Sequence, residues 1–249
     1  MKYKNYSSDL WAQIHKSMDR ILQQDSQPVA AFDADGTLWD LDLGETFFQY
    51  LIQHKLVSLP TDPWEHYEAL KKNPAGPQEA YLWLAQILKG HSLVQVQEWA
   101  LKAVQEVNPL PIFPEQKKLI EIFTSAGVKV FIVTASVKWA VEPGAKLLGL
   151  SHDQVLGIET ESDGGLITDR QKGLITYRQG KADALLKITN GKKPFFSAGN
   201  TFGDLALLEL STDIKLAVTS TVPDDRLFRS EQELFTEATQ RGWLKHRFN

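Results

Sequence analysis

Four short apolar runs, separated by helix-length segments, constrain the fold of this 249-residue chain more than any other feature. The runs are PVAAF at 28–32, VKVFIV at 128–133, PFFS at 194–197 and IKLAV at 214–218. Runs this short, rich in β-branched and aromatic residues, are typical of strands that are covered on both faces. Their alternation with helical segments predicts an α/β chain built on a parallel sheet.

A long helical stretch separates the first run from the second. Residues 41–110 show helical periodicity without a convincing strand. Clusters of proline and glycine mark its boundaries and subdivisions, at 60–63, 73–77 and 108–114. We therefore predict a core formed by residues 1–38 and 112–249, with an all-helical domain inserted at 39–111.

The remaining segments complete this prediction. Further helices are expected at 115–126, 137–149, 181–190 and 201–210. The N-terminal residues, to about position 21, have the pattern of an amphipathic helix. The stretch 156–178 alternates in polarity and contains the turn signals SDGG and KG, which predicts strands or hairpins that flank the sheet.

Composition limits the partners and the chemistry. The formal net charge is −4, with 27 Lys and Arg against 31 Asp and Glu, so nothing overall attracts nucleic acid or anionic lipid. No apolar run approaches the ~20 residues of a membrane helix, and the absence of cysteine excludes thiol catalysis and zinc–thiolate sites. We expect a small-molecule partner rather than nucleic acid or a membrane. The N-terminus lacks the profile of a secretory signal, which predicts a cytoplasmic protein.

Two carboxylates, Asp33 and Asp35, follow the first predicted strand directly. Ligand sites in open α/β sheets form beyond the carboxyl ends of strands, and residues at i and i+2 of an extended segment share a face. Adjacent carboxylates repel unless a cation or a shared proton relieves them, which favours Mg²⁺ or a protonated acid here. Gly36 would let a substrate approach closely. A solvated turn is the alternative interpretation of D-x-D-G, because Asp and Gly both favour turns.

The other predicted strand ends carry complementary groups. Thr134 and Ser136 follow the second strand and could bind an anionic oxygen at a helix start. Asn200 and Asp204 follow the third strand and present oxygen ligands four residues apart, which suit a hard cation. Lys181 begins a predicted helix, where its charge opposes the helix dipole unless an anion lies nearby. Taken singly, these residues are also typical of helix caps and surface charges.

In this order, the set resembles the haloacid dehalogenase (HAD) superfamily of phosphohydrolases. The matching pieces are D-x-D-G-T at 33–37, Thr134, Lys181 and G-N-x-x-x-D at 199–204. The resemblance implies a Rossmann-like core. The position of the helical insertion resembles the C1 cap of the phosphoserine phosphatase-like branch, which closes over a bound ester.

The resemblance implies a mechanism for hydrolysing a phosphate monoester. Asp33 would attack phosphorus and form an aspartyl-phosphate. Asp35 would protonate the leaving alcohol and then activate water. Thr134 and Lys181 would bind the phosphoryl oxygens. Dehalogenases of the superfamily lack the second aspartate, so Asp35 favours phosphoryl transfer.

The resemblance also implies a Mg²⁺ site. Its ligands would be a carboxylate oxygen of Asp33, the backbone carbonyl of Asp35 and the side chain of Asn200, with Asp204 as an outer ligand. Most relatives have an aspartate where this chain has Asn200, so we expect a weaker metal site. An inactive protein that binds a phosphorylated ligand and a phosphomutase are the alternatives that this leaves open.

The predicted cap gives a substrate hypothesis. It contains no arginine, because none occurs between Arg20 and Arg170, and this argues against phosphoserine. It is rich in carboxylates and carries three tryptophans, with a fourth at its start: Trp64, Trp83, Trp99 and Trp39. Glu45 matches the spacing of a glutamate that faces the substrate ammonium in phosphorylcholine phosphatase. We therefore expect phosphocholine or a similar amino-alcohol phosphate, with substrate contacts from Thr37, Glu45 and Ser136. Tryptophans packed in the cap core and other phosphomonoester substrates are the alternatives.

Overall fold

A single seven-stranded sheet forms the centre of the molecule. The computed structural model describes residues 3–249, so residues 1 and 2 of the predicted core lie outside the described part. The strands are β1 (Val29–Phe32), β2 (Lys129–Val137), β3 (Val155–Asp163), β4 (Leu166–Lys172), β5 (Phe196–Gly199), β6 (Ile214–Thr219) and β7 (Leu244–Arg247). Their order is β4-β3-β2-β1-β5-β6-β7. All neighbouring pairs are parallel except β3 and β4, which confirms the predicted α/β class.

The predicted strands form with small shifts. The first and fourth runs become β1 and β6 almost unchanged. The third moves two residues towards the C-terminus, and the second extends through Val137 because its parallel pairing with β3 continues to that residue. The stretch 156–178 contains the hairpin of β3 and β4. Sequence analysis did not predict β7, whose four residues LKHR lack an apolar run.

Helices flank the sheet. They are α1 (Ser8–Gln24), α2 (Leu43–Gln53), α3 (Pro63–Lys71), α4 (Gln78–Gln86), α5 (Leu93–Glu106), α6 (Pro114–Ser125), α7 (Lys138–Leu147), α8 (Gln179–Ile188), α9 (Leu205–Leu210) and α10 (Phe228–Gln240). Short 3₁₀ turns cover His152–Gln154 and Phe202–Asp204, and the second of these replaces the start of the helix predicted at 201–210. Helix α10 was not predicted. No helix within residues 3–249 is long and apolar enough to cross a membrane.

Alternate residues of β1 enter hydrophobic clusters on opposite faces of the sheet. Ala30 and Phe32 belong to the cluster that includes α1 and α6, whereas Val29 and Ala31 pack with residues of α8 and α9. This two-sided burial explains why the strand is wholly apolar. β1 pairs in parallel with both β2 and β5, so the carboxyl ends of these three strands lie together.

Helices α2–α5 occupy the long stretch between β1 and β2, which forms no strand of the sheet. Most of their buried residues pack into one cluster, which also includes Val137, Trp139 and Ile158 from β2, α7 and β3. The helical stretch is therefore packed on β2, α7 and β3. The domain boundaries at 38/39 and 111/112 stay predictions.

Candidate active site

The chain turns sharply as it leaves β1, and this turn presents Asp33 and Asp35. The N–H of Thr37 donates to the carbonyl of Ala34 at 3.1 Å. Gly36 has φ +75°, in the left-handed region that favours glycine. The local sequence D-A-D-G-T therefore forms a tight exit loop, with Asp33 only 5% exposed.

A buried lysine joins the ends of β1 and β5. Lys181 lies in the first turn of α8, and its Nζ donates to Oδ1 of Asp33 and to Oδ1 of Asp204, both at 2.5 Å. All three side chains are buried. The second oxygen of Asp204 accepts the backbone N–H groups of Asn200 and Thr201, which fixes the loop after β5. Residues separated by 148 positions thus meet in one cluster.

The surroundings of this cluster shift the pKa values of Asp33 and Lys181. Burial and the nearby charge of Asp204 raise the pKa of Asp33 to about 7, against the lowering effect of Lys181. Burial alone would lower the pKa of Lys181, but Asp204 and Asp33 outweigh it, so the pKa is raised. Lys181 is therefore held as a cation beside the two carboxylates.

Asp35 is held by three donors on its two oxygens. Oδ1 accepts from the indole N–H of Trp39 at 2.8 Å and from the backbone N–H of Leu43 at 2.9 Å. Oδ2 accepts from the hydroxyl of Ser136 at 2.6 Å. Burial raises the pKa of Asp35 although these hydrogen bonds oppose the shift. The structure thus places Ser136, a predicted substrate contact, against Asp35.

Two threonines support the same site in different ways. Thr134 is 1% exposed, lines the cavity in front of Asp33, and accepts the backbone N–H of Ser136 at 3.0 Å. Thr37 is fully buried and donates to Oδ2 of Asp33 at 2.9 Å. Thr37, predicted as a substrate contact, therefore lies behind Asp33 and does not line the cavity.

Oxygen atoms that suit a hard cation face each other beside Thr37. Its hydroxyl lies 2.9 Å from Oδ2 of Asp33 and 3.3 Å from Oδ1 of Asn200. No group of three Asp, Glu or His side chains within residues 3–249 is arranged to hold a metal ion. A Mg²⁺ site here would combine one carboxylate with the amide oxygen and a backbone carbonyl, and such oxygen donors fit the ion. When ionised, the carboxylates of Asp33, Asp35 and Asp204 also carry more negative charge than Lys181 neutralises, and this favours a bound cation.

Asp33, Asp35, Thr134, Lys181 and Asn200 line a cavity of about 110 Å³. The same cavity is also lined by side chains before and within α2–α4 and from the segment before α8, among them Asp42, Glu45, Tyr67, Tyr81 and Tyr177. The rings of Tyr81 and Tyr177 are in edge contact, with centroids 5.6 Å apart. The cavity lining therefore combines groups that suit a bound anion with aromatic and acidic side chains.

Glu45 lines this cavity, but cations already bind its carboxylate. Arg226 donates to it at 2.7 Å and Lys71 at 3.4 Å. Arg226 also lies 3.5 Å from Asp42, which caps α2 by accepting the N–H of Glu45. Burial and the nearby carboxylates of Asp35 and Glu45 raise the pKa of Asp42 well above its usual range. The chain thus supplies an arginine to this region from outside the predicted cap.

The tryptophans do not line the cavity. Trp64, Trp83 and Trp99 pack within the hydrophobic cluster of α2–α5, which agrees with the alternative interpretation of these residues. Trp39 is fully buried and donates a hydrogen bond from its indole N–H to Asp35. The aromatic surface of the cavity comes from tyrosines instead.

Sequence reasoning missed Arg226 and the three tyrosines. Arg226 lies near the C-terminus, just before α10, and no local motif marks it. Tyr177 could have been found from its position just before Lys181, whereas Tyr67 and Tyr81 have the spacing of ordinary helix-core residues.

Comparison with known proteins identifies the family. A profile described as haloacid dehalogenase-like hydrolase matches residues 30–209, a span that contains the loop after β1, Lys181 and the loop after β5. The chain belongs to this family of hydrolases. No curated protein matches it.

Solved structures share the HAD fold with this chain at low identity. A protein of unknown function from Anaerococcus prevotii DSM 20548 is 15% identical, with 99% of this chain and 96% of that chain covered and a TM-score of 0.76. One from Bordetella pertussis Tohama I is 21% identical, with coverages of 88% and 97% and a TM-score of 0.70. A phosphoserine phosphatase solved as a phospho-aspartyl intermediate analogue is 18% identical, with coverages of 77% and 86% and a TM-score of 0.52. At these identities, the likeness concerns the fold.

Proposed function

We propose that this HAD hydrolase is a Mg²⁺-dependent phosphomonoesterase that acts through an aspartyl-phosphate on a small phosphorylated metabolite. The observation that carries the proposal is the buried cluster in which Lys181 binds both Asp33 and Asp204 at 2.5 Å. Asp35 lies close by, held separately by its own three donors. One carboxylate is thereby available as a nucleophile and another as an acid.

In the first step, an oxygen of Asp33 attacks phosphorus and the bond from phosphorus to the ester oxygen breaks. Asp35, whose pKa burial raises, gives its proton to the departing alkoxide. In the second step, Asp35 takes a proton from water as that water attacks phosphorus. The bond to Asp33 then breaks, and inorganic phosphate leaves.

The remaining residues bind the phosphoryl group. Lys181 and Thr134 face the cavity beside Asp33, where they would neutralise and bind phosphoryl oxygens. Asp33, the carbonyl of Asp35 and Asn200 would hold Mg²⁺, with Asp204 behind them. When bound, the ion supplies positive charge that stabilises the transferring group.

The organic part of the substrate would lie against the tyrosines and Glu45 of the cavity lining. Tyr67, Tyr81 and the carboxylate of Glu45 suit the cationic head of an amino-alcohol phosphate such as phosphocholine. Such a head must displace Arg226 or Lys71 from Glu45, because both bind it in this structure. An anionic head would instead bind Arg226.

Release of inorganic phosphate from p-nitrophenyl phosphate, with and without Mg²⁺, tests the activity. Asp33→Asn should lower turnover on the order of 10³-fold or more. Asp153→Asn is the matched control, because its side chain is 83% exposed. If wild type and Asp33→Asn were equally inert with every metal, the protein would be a phosphate-ligand binder. Transfer of the phosphate to a sugar instead of its release would indicate a phosphomutase.

A comparison of phosphocholine, phosphoethanolamine and phosphoserine tests the substrate class. We expect Glu45→Gln to raise KM for phosphocholine while KM for p-nitrophenyl phosphate, which has no cationic head, stays unchanged. An unchanged preference among the three substrates in Glu45→Gln would contradict the amino-alcohol assignment.

A further inference from the structure

The Asn200 side chain is held at both ends in a fixed orientation. Its Nδ2 donates to Oε1 of Glu231 at 3.0 Å, and its Oδ1 lies 3.3 Å from the hydroxyl of Thr37, which itself donates to Oδ2 of Asp33. Asn200 and Glu231 are each 1% exposed. Only the oxygen of an amide can bind a hard cation, so the orientation decides whether Asn200 can act as a ligand.

The partners of Glu231 dictate this orientation. Its Oε2 accepts the backbone N–H groups of Ser220 and Thr221 at 3.2 and 3.1 Å, together with the hydroxyls of Thr219 and Thr221. Its Oε1 then remains to face Asn200. A carboxylate presents acceptors at both oxygens, so the amide must turn its NH₂ group towards it.

Gly36 makes room for this pair beneath the loop after β1. A Cβ built at Gly36 would lie 2.0 Å from Nδ2 of Asn200 and 3.6 Å from Oε1 of Glu231. The glycine of the D-x-D-G-T segment therefore serves the packing of the Asn200–Glu231 pair as well as the turn itself.

We propose that Glu231 is a positioning residue for the metal site: it fixes the amide oxygen of Asn200 towards the cation. It also places a carboxylate one hydrogen bond behind an uncharged ligand, which supplies the negative charge that Asn200 lacks. This inference rests on the Mg²⁺ site of the proposed function. It assigns a role to a residue of α10 that lies beyond the matched family segment 30–209.

Glu231→Gln removes one acceptor at almost constant shape. The backbone N–H groups of Ser220 and Thr221 can only donate, so they retain the amide oxygen of the introduced glutamine. Its NH₂ group then faces Asn200, and Asn200 must rotate and turn its own NH₂ group towards Asp33. We expect the affinity for Mg²⁺ to fall about 10- to 100-fold.

The second variant restores the pairing. In Asn200→Asp/Glu231→Gln, the introduced aspartate can accept from the introduced glutamine and turn its other oxygen towards the cation. We expect this double variant to recover Mg²⁺ affinity to within a few-fold of wild type. A merely structural role for Glu231 predicts instead that Glu231→Gln lowers the unfolding temperature measured without Mg²⁺ but leaves the Mg²⁺-dependent rise unchanged. Asn200→Asp alone should unfold more easily than wild type, because two carboxylates would then face each other within hydrogen-bonding distance.

Affinity is measured by titrating MgCl₂ against the full chain without substrate and following the rise in thermal unfolding temperature. Glu233→Gln is the control, because Glu233 lies on the same helix and its side chain is 49% exposed. Loss in Glu231→Gln with recovery in the double variant supports the proposal. An unchanged affinity in Glu231→Gln, or a double variant as weak as Glu231→Gln, overturns it. If wild type shows no response to Mg²⁺ while Glu233→Gln matches it, the metal site itself fails, and this proposal fails with it.

Discussion

Replacement of Gly36 by alanine gives the sharpest test of how closely the site is packed. An alanine at φ +75° costs about 1–2 kcal/mol in backbone conformation alone. Its Cβ would also lie 2.0 Å from Nδ2 of Asn200, so the amide must leave its 3.0 Å hydrogen bond to Glu231. Leaving these buried groups unpaired costs a further ~1–3 kcal/mol. We therefore expect a total loss of about 2–5 kcal/mol in the free energy of unfolding.

Gly149→Ala isolates the backbone contribution. Gly149 has φ +77°, and a Cβ there meets no atom within 4 Å, so only the conformational cost of about 1–2 kcal/mol applies. The difference between the two variants is therefore the cost of displacing Asn200. For a chain of this size each kcal/mol lowers the unfolding temperature by about 2–4 °C.

Urea titration and thermal melting of the two variants measure this difference. Gly36→Ala should unfold ~1–3 kcal/mol more easily than Gly149→Ala, and it should also bind Mg²⁺ more weakly. Equal unfolding free energies for the two variants would refute the argument that the loop after β1 packs directly on the Asn200–Glu231 pair.

Three further predictions follow from particular contacts. Ser136→Ala removes a 2.6 Å donor from Asp35, so kcat should fall about tenfold with little change in KM; a raised KM with unchanged kcat would instead indicate a direct substrate contact. Arg226→Gln removes the shorter of the two ion pairs of Glu45, so the ratio of kcat/KM for phosphocholine over phosphoserine should rise, by up to about fivefold for an ion pair whose arginine is half-exposed. An unchanged ratio would show that Arg226 does not reach the substrate. Burial lowers the pKa of His246 below 6.5 in the folded protein. As the pH falls, this histidine is therefore protonated in the unfolded chain before it is protonated in the folded one, so stability should fall as pH drops below about 6.5. Urea unfolding across that range should show a smaller loss in His246→Gln, and equal slopes would contradict this.

The sequence by itself determined the four central strands of the sheet and the polar groups that follow their apolar runs. The runs at 28–32 and 214–218 are apolar because both faces of their strands are buried, and this pattern can be recognised from the sequence alone. Asp33 and Asn200 follow β1 and β5 directly, and Thr134 lies in β2 just past the apolar run at 128–133, so their nearness is a consequence of parallel pairing. The unfavourable place of Lys181 at a helix start indicated an anionic partner, and the family resemblance gave the residue its role.

Only the tertiary structure decided which groups surround these residues. Glu231 reaches Asn200 across 31 positions, and Arg226 reaches Glu45 across 181. Such contacts depend on how α10 and the segment before it pack against the sheet and α2. The spacing of polar residues along the chain has no period that reports this packing, because side chains from different elements meet by three-dimensional proximity alone.

The same limit applies to the role of each hydroxyl and aromatic ring. Ser136 and Thr37 were expected to contact the substrate; Thr37 lies behind Asp33 and outside the cavity lining, whereas Ser136 lines the cavity and also donates to Asp35. The helical stretch was expected to offer tryptophans, yet tyrosines line the cavity. Residue type and spacing indicate that a polar or aromatic group is present on a segment. The direction in which that group points is set by the neighbours that bury it.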